Sequence, residues 1–460
     1  MWRPATASWM CLALCASACG ADPAATARPH DEPSAPDPVP SVPATPADAD
    51  DGAPGVCPWT GTIPLSDASG RVNQPPGGTY WDAVVDVGDL DQDGDAELLV
   101  TADLGPTWVL YGPVTGTHRA DFVGDRFAWP QVEGSGMSDS SGAGPSGAGD
   151  LDGDGWGDLV LPDNTLPDSG TRLVRRWGSP SGFTAADSGI EPAEGSFQAV
   201  AVGDFDGAGS ADIVVVGTDP VPEGHVAVLL FADAASARTR DDATLDLRLA
   251  DSAWSYAGAA AVGDLQGDGI ADAVVWDIYG GFDLDGRALL LDGSLTGTVV
   301  DDGASGSLAG AIDEITGLGD VDGDGLDDVA LVDSLREEVY LVPGGTAWSG
   351  RAADLARAIL RPVDGDDIAR GVTPLDDVDG DGLPDVAVGV GGLWSGSVLL
   401  FAQPSGDLTR DDAIAEVVGL DLWPRGLAAS DSDADGQREL VVLGQSDGQV
   451  SAWWLSPPGL

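Results

Sequence analysis

Nine residues carry the clearest chemistry in this chain: Asp320, Val321, Asp322, Gly323, Asp324, Gly325, Leu326, Asp327 and Asp328. Acids stand at positions 1, 3, 5 and 9, and a glycine stands at position 6. Carboxylates alternating along a chain that turns back on itself close around one point as a cage of hard oxygens. A glycine at position 6 permits a turn that a Cβ would resist. Calcium suits such a cage, because it takes six to eight oxygens at about 2.3–2.6 Å.

The pattern occurs seven times. The copies begin at Asp89, Asp150, Asp204, Asp264, Asp320, Asp377 and Asp431, and are called loops 1 to 7 below. Successive starts are 61, 54, 60, 56, 57 and 54 residues apart. Self-similarity at a period of this size marks a repeat architecture. Turn formation alone accounts for Asp-Gly pairs, but not for acids recurring at positions 1, 3, 5 and 9. Two carboxylates about 5 Å apart repel by roughly 3 kcal/mol at an effective dielectric of about 20. Four of them in one loop therefore call for a cation.

Each loop lies between apolar runs. Ala83-Val84-Val85 and Ala199-Val200-Ala201-Val202 precede loops, and Ile213-Val214-Val215-Val216 and Leu440-Val441-Val442-Leu443 follow them. Runs such as Val226-Ala227-Val228-Leu229-Leu230 and Val398-Leu399-Leu400-Phe401 come third. A more polar run, such as Ala243-Thr244-Leu245-Asp246-Leu247, comes fourth. Runs of four to eight residues bounded by Gly, Pro and Asp predict strands. Four short strands per unit in seven units predict an all-β fold, a seven-bladed β-propeller of four-stranded antiparallel blades. Leu229-Leu230-Phe231-Ala232 and Thr239-Arg240-Asp241-Asp242-Ala243 recur 170 residues later, at Leu399 and Thr409. That is about three blades. Ala352 to Leu360 has the composition of a short helix in the place of a fourth strand. The last unit ends after its third strand, Val450 to Leu455, and an extra candidate strand, Trp59 to Leu65, precedes the first. That strand is expected to complete the last blade and close the ring, which leaves no open sheet edge.

An EF-hand shares the acids at positions 1, 3 and 5 but takes its bidentate Glu from position 12. Here position 12 is Val100, Leu161, Val215, Val275, Leu331, Val388 and Val442, all apolar. The closing acid stands at position 9, as Glu97, Asp158, Asp212, Asp272, Asp328, Asp385 and Glu439. The motif Gly-Asp-x-Asp-Gly-Asp-Gly-x-x-Asp before a β-branched strand, seen at Gly319–Asp328 and Gly149–Asp158, resembles the FG-GAP or VCBS repeat. That family includes the propeller of integrin α chains and many bacterial surface proteins. The resemblance covers about residues 57–460. It implies calcium held between the first two strands of each blade, by side chains at positions 1, 3, 5 and 9 and the backbone carbonyl at position 7.

Carried onto this sequence, the implied ligands of loop 1 are Asp89, Asp91, Asp93, Glu97 and the carbonyl of Asp95. Loop 2 offers Asp150, Asp152, Asp154, Asp158 and the carbonyl of Trp156. Loop 5 offers Asp320, Asp322, Asp324, Asp328 and the carbonyl of Leu326. Loop 6 offers Asp377, Asp379, Asp381, Asp385 and the carbonyl of Leu383. Loop 7 offers Asp431, Asp433, Asp435, Glu439 and the carbonyl of Gln437. Loop 3 departs, with Ala208 at position 5, and keeps Asp204, Asp206 and Asp212. Loop 4 has Gln266 at position 3, with Asp264, Asp268, Asp272 and the carbonyl of Ile270. A glutamine still offers a carbonyl oxygen. Five to seven Ca²⁺ ions are therefore expected.

Composition narrows the partners. The 460 residues carry 77 Asp and Glu against 20 Lys and Arg, a formal charge of −57. Such a chain is too acidic for a nucleic-acid binder, which needs cations against phosphate. Of the four cysteines, Cys11, Cys15 and Cys19 fall in the first twenty residues and leave Cys57 alone in the body, so no internal disulfide framework is expected. Residues 1–18 have the charged start and short apolar run of an export signal. Ala16-Ser17-Ala18-Cys19 resembles a lipobox, which implies lipidation at Cys19, and Gly20 after it resembles the outer-membrane sorting pattern. Plain secretion after cleavage near the same site is the alternative. Residues 20–56, rich in Pro, Ala, Asp and Ser, predict an extended spacer without a core.

Large apolar residues stand about eight positions before most loops: Trp81, Phe197, Tyr256, Ile312, Ile368 and Trp423. They read either as packing between blades or as a surface for a partner. His118 and His225 lie in different repeats and form no nucleophile motif. The sequence therefore predicts a monomeric cell-surface binding module rather than an enzyme. It would adhere to a protein partner or, alternatively, recognise a polysaccharide as a lectin; a carbohydrate-active enzyme is the weakest reading.

Overall fold

The computed structural model describes residues 59–456, apart from 76–80, 103–106, 121–123, 128–146, 164–171, 185–188, 191–195, 219–225, 238, 249–256, 278–285, 294–295, 301–303, 334, 362–366 and 393–394. The expected export signal, Cys19 and spacer lie outside the described residues.

Seven sheets follow one another along the chain, each led by an inner strand. The inner strands are Trp81–Asp86, Gly147–Gly149, Ser196–Gly203, Ala257–Gly263, Ile312–Gly319, Asp367–Leu375 and Gly426–Ser430. Every inner strand pairs antiparallel with the strand after its acidic loop, so all seven loops occupy the same hairpin of their blades. The fold is a seven-bladed β-propeller.

Side-chain alternation explains how the blades pack. Successive residues of a strand face opposite sides of the sheet, and here both sides meet another blade. In the third blade, Val214 and Val216 pack with Ala273, Val275 and Leu289 of the fourth. Ile213 and Val215 pack with Leu151, Val160 and Leu173 of the second. Behind the closing acid the second strands accordingly show no polar alternation, and Asp328–Asp333 and Asp385–Gly391 are buried along their whole length. Seven apolar clusters each join two neighbouring blades. One of them joins Val441, Leu443 and Trp454 of the last blade to Trp81, Val100 and Trp108 of the first, which closes the ring.

The seam differs from the expected one. The strand within Trp59–Leu65 exists, as Gly61–Pro64, but it pairs parallel with Ala415–Val418 on the sixth blade. The strand that completes the last blade is Gly70–Asn73, antiparallel to Ser451–Trp454. The cause is a fifth strand absent from the four-strand reading. In several blades the connection from the third to the fourth strand makes a short strand that joins the preceding blade in parallel. Gly297–Val300, Ser349–Arg351, Gly406–Leu408 and Gly116–Arg119 all do this. Gly61–Pro64 plays the same part for the last blade. The N-terminal segment therefore bridges two blades. The ambiguous stretch is both things expected of it, a helical turn at Ala352–Leu355 followed by a strand at Ala358–Leu360.

The inner strands surround a central cavity of about 540 Å³, lined by Val85, Ala148, Ala201, Trp276, Glu314 and Arg425 among others.

Candidate metal centres

Two carboxylates build each loop. The acid at position 1 accepts the backbone N–H groups of the turn that follows. Asp320 Oδ1 takes those of Gly323 and Asp324 at 2.7 and 3.0 Å, and its Oδ2 takes that of Gly325 at 2.9 Å. Asp150 and Asp377 repeat the pattern. The acid at position 9 opens the second strand and is buried in all seven loops, at 0–2% exposure. One of its oxygens accepts the N–H of position 2 in each loop. The distances are 2.7 Å from Leu90, 2.9 Å from Leu151, 2.8 Å from Phe205, 2.9 Å from Leu265, 3.0 Å from Val321, 2.8 Å from Val378 and 3.1 Å from Ser432.

Positions 1, 3 and 9 converge. Oxygens of Asp89, Asp91 and Glu97 lie within 4.8 Å of one another, as do those of Asp150, Asp152 and Asp158 and of Asp204, Asp206 and Asp212. The sets Asp320, Asp322, Asp328 and Asp377, Asp379, Asp385 do the same. Loop 3 thus assembles its cluster without an acid at position 5. Asp154, Asp268, Asp324, Asp381 and Asp435 at position 5 stand outside these triads and accept the N–H of position 7, from Trp156, Ile270, Leu326, Leu383 and Gln437. Asp93 likewise accepts the N–H of Asp95. In loop 4, Gln266 Nε2 donates to Asp272 Oδ1 at 3.3 Å, which fills the place of the missing acid with a donor. In loop 7, Asp431 accepts from Asp435 and Gly436, and Ser432 Oγ also donates to Glu439.

The donor set fits a hard cation. Glu97 Oε1, Asp212 Oδ1 and Asp385 Oδ1 are buried with no hydrogen-bond donor, and so are Asp91 Oδ1 and Asp204 Oδ1. A buried carboxylate oxygen without a partner is costly, and a cation would satisfy these five. Burial raises the closing acids above the ordinary carboxylate range, Asp158 and Asp328 to about 6, Asp212, Asp272, Asp385 and Glu439 to about 7, and Glu97 to about 8. At position 3, burial and then the repulsion of the acid at position 5 raise Asp91, Asp152, Asp379 and Asp433. Asp264 moves the other way. Burial opposes its charge, but N–H groups of Gly269, Gly267, Asp268 and Gln266 outweigh it.

Several features lay outside the motif. Position 4 also has a left-handed backbone, filled by glycine in five loops but by Gln92 (φ 60°) and Ala434 (φ 55°) in the others. Arg357 Nη1 lies 3.2 Å from Asp322 Oδ2, a protein cation at the rim of loop 5. Gly178 and Gly344 donate to the second oxygens of Asp158 and Asp328. No spacing rule within nine residues reveals these partners, because they arrive from the following strand connection. Of the apolar residues before the loops, Trp81, Phe197 and Ile312 are core, while Trp423 is 37% exposed. Tyr256 lies outside the described residues.

No family model matches the chain, and no curated protein matches it. Among solved structures, the chain is similar to BBS1N in two crystal structures of its complex with ARL6DN, one soaked with lead and one with mercury. Identity is 11% in both, and the TM-scores are 0.48 and 0.47. The match covers 85% of this chain and 99% and 98% of those chains.

Proposed function

We propose that the chain is a calcium-loaded propeller of the FG-GAP type, exported to the cell surface and used there as a rigid scaffold for adhesion to protein partners. The observation that carries the calcium reading is the set of buried, donorless oxygens on Glu97, Asp212 and Asp385. Each belongs to a triad of acids that converges at positions 1, 3 and 9. When bound, calcium would neutralise the triad and satisfy these oxygens; in loop 1 the residues that would hold it include Asp89, Asp91 and Glu97. The protein itself supplies the turn, through the position 1 carboxylate, and the anchor, through the buried position 9 carboxylate.

The scaffold role rests on form and charge. Seven blades packed on both sides make a stiff ring, and seven like hairpins give it a repeated, densely acidic set of loops. Burial of Trp81, Phe197 and Ile312 removes three residues of the candidate partner surface, so the acidic loops are left as the surface a partner would meet. Export and a lipid at Cys19 would place the ring outside the cell, held off by the spacer.

Metal analysis tests the ion. Purified protein should carry at least five calcium ions and lose them to EDTA; protein folded without bound calcium at millimolar Ca²⁺ would refute the reading. Cells displaying the protein should adhere to protein-coated surfaces in calcium and detach in EDTA. A specific glycan-array signal without protein adhesion would move the function to polysaccharide.

A further inference from the structure

Neighbouring loops are tied together across the blade boundaries. At three junctions the residue at position 8 donates its backbone N–H to the position 1 carbonyl of the preceding loop. These bonds run from Ala96 to Asp431 at 2.8 Å, from Ala211 to Asp150 at 2.7 Å, and from Asp327 to Asp264 at 3.1 Å. Asp327 adds a second link, its Oδ2 accepting the N–H of Asp264 at 2.7 Å. Gly157 of loop 2 donates to the carbonyl of Leu90 in loop 1 at 3.2 Å. Arg438 of loop 7 grips Asp376, which precedes loop 6, through its N–H at 2.7 Å and its Nε at 2.9 Å. Side chains at position 7 fill the same seam: a Cβ at Gly267 would lie 2.7 Å from Leu326, and one at Gly323 would lie 3.1 Å from Leu383. Loop 6 carries Pro384 at position 8, which has no N–H to give.

Position 8 adjoins the closing carboxylate at position 9. Position 1 is the hub from which its own turn hangs. One peptide and one hydrogen bond therefore separate the closing ligand of one loop from the first ligand of the loop before it. An ion that fixes position 9 also fixes the peptide holding the neighbour's hub, and the neighbour then orders at lower entropic cost.

We propose that calcium loads the loops cooperatively across blade junctions, with the position 8 amide carrying the coupling to the preceding loop. This rests on the calcium reading above. The coupling at one junction is about fivefold in affinity, the equilibrium equivalent of one net backbone hydrogen bond. Loop 3 is suited to act on loop 2, because Asp212 Oδ1 and Asp204 Oδ1 are buried and donorless there, while Ala211 reaches Asp150.

Loop 2 reports on itself. Trp156 occupies its position 7, and Trp177 precedes the glycine that donates to Asp158. Terbium titrated into the protein and excited through tryptophan reads loop 2 as the part of the emission lost in Trp156→Phe. Ala211→Pro deletes the donated N–H, and Pro384 shows that the fold accepts proline at this position. Ala211→Gly keeps the N–H, and Asp212→Asn weakens the loop 3 site directly. The Trp156-dependent midpoint should rise about fivefold in Ala211→Pro and in Asp212→Asn and stay put in Ala211→Gly. Asp212→Asn decides the matter alone if Ala211→Pro fails to fold by circular dichroism. An unchanged midpoint in the folded variants overturns the coupling. The absence of any saturable Trp156-dependent emission in the unaltered protein overturns the calcium reading instead.

Discussion

Removing calcium should lower the melting temperature by about 8 °C near pH 8, and by much less near pH 5. Among the described residues, at least five loops bring three acids each within 4.8 Å. At free calcium ten times the dissociation constant, each ion contributes about 1.4 kcal/mol, so five contribute about 7 kcal/mol. An unfolding entropy of about 2.1 cal/mol/K per residue, taken over Ala53–Leu460, converts this into about 8 °C. The pH dependence comes from the closing acids. Without calcium, burial raises them to about 6 for Asp158 and Asp328, about 7 for Asp212 and Asp385, and about 8 for Glu97. The folded ring then keeps protons that the unfolded chain releases near pH 4. This contribution is whole below about pH 4 and is lost as pH rises through about 6 to 8. A bound ion requires the deprotonated carboxylate, so calcium binds more strongly across the same window. Thermal melts of dialysed protein, with and without millimolar calcium at the two pH values, measure both trends. A calcium-dependent gap of equal size at both, or a calcium-free protein more stable near pH 8, would refute the account.

Glu97→Gln should reverse sign with calcium. Its Oε1 has no donor, so the variant should melt about 1–4 °C higher in EDTA, corresponding to about 1–3 kcal/mol, and lower than the unaltered protein in calcium. Asp322→Ala should release one ion in metal analysis, and Arg357→Gln should tighten calcium at loop 5 by removing the cation 3.2 Å from Asp322. Deleting residues up to Asn73 strips the last blade of its outer strand and exposes the edge of Gln449–Leu455. Such an edge pairs with other chains, so size-exclusion chromatography should show larger species or aggregate compared with the unaltered protein.

The blade count was legible because each hairpin carries the same acids. A strand pattern alone would have been ambiguous, since runs such as Val386-Ala387-Val388 lack polar alternation when both faces are buried. The fifth strand was not legible. Gly297–Val300 and Gly406–Leu408 are short, and their partners lie in another repeat. A reading confined to one period assigns such a segment to a connection, and the same omission put the closing strand at Trp59–Leu65 instead of Gly70–Asn73.

The loops show a related division. Spacing singled out positions 1, 3 and 9, and in loops 1, 2, 3, 5 and 6 their oxygens lie within 4.8 Å of one another. It gave position 5 the same standing; Asp154 and Asp324 accept the N–H of position 7 there. Asp152 and Asp322 at position 3 make the same local bond to the N–H of position 5, and it engages only one of the two carboxylate oxygens. Loop 3 brings its three remaining acids together with Ala208 at position 5. Position 8 left no trace in the motif, because a backbone N–H is common to Ala96, Ala211 and Asp327. Only Pro384, the one residue type unable to donate, marks that position in the sequence. The links at Ala96 and Ala211 are therefore made by main-chain groups, and a substitution at either acts through loss of the N–H, whereas Asp327 and Arg438 add side-chain links of their own.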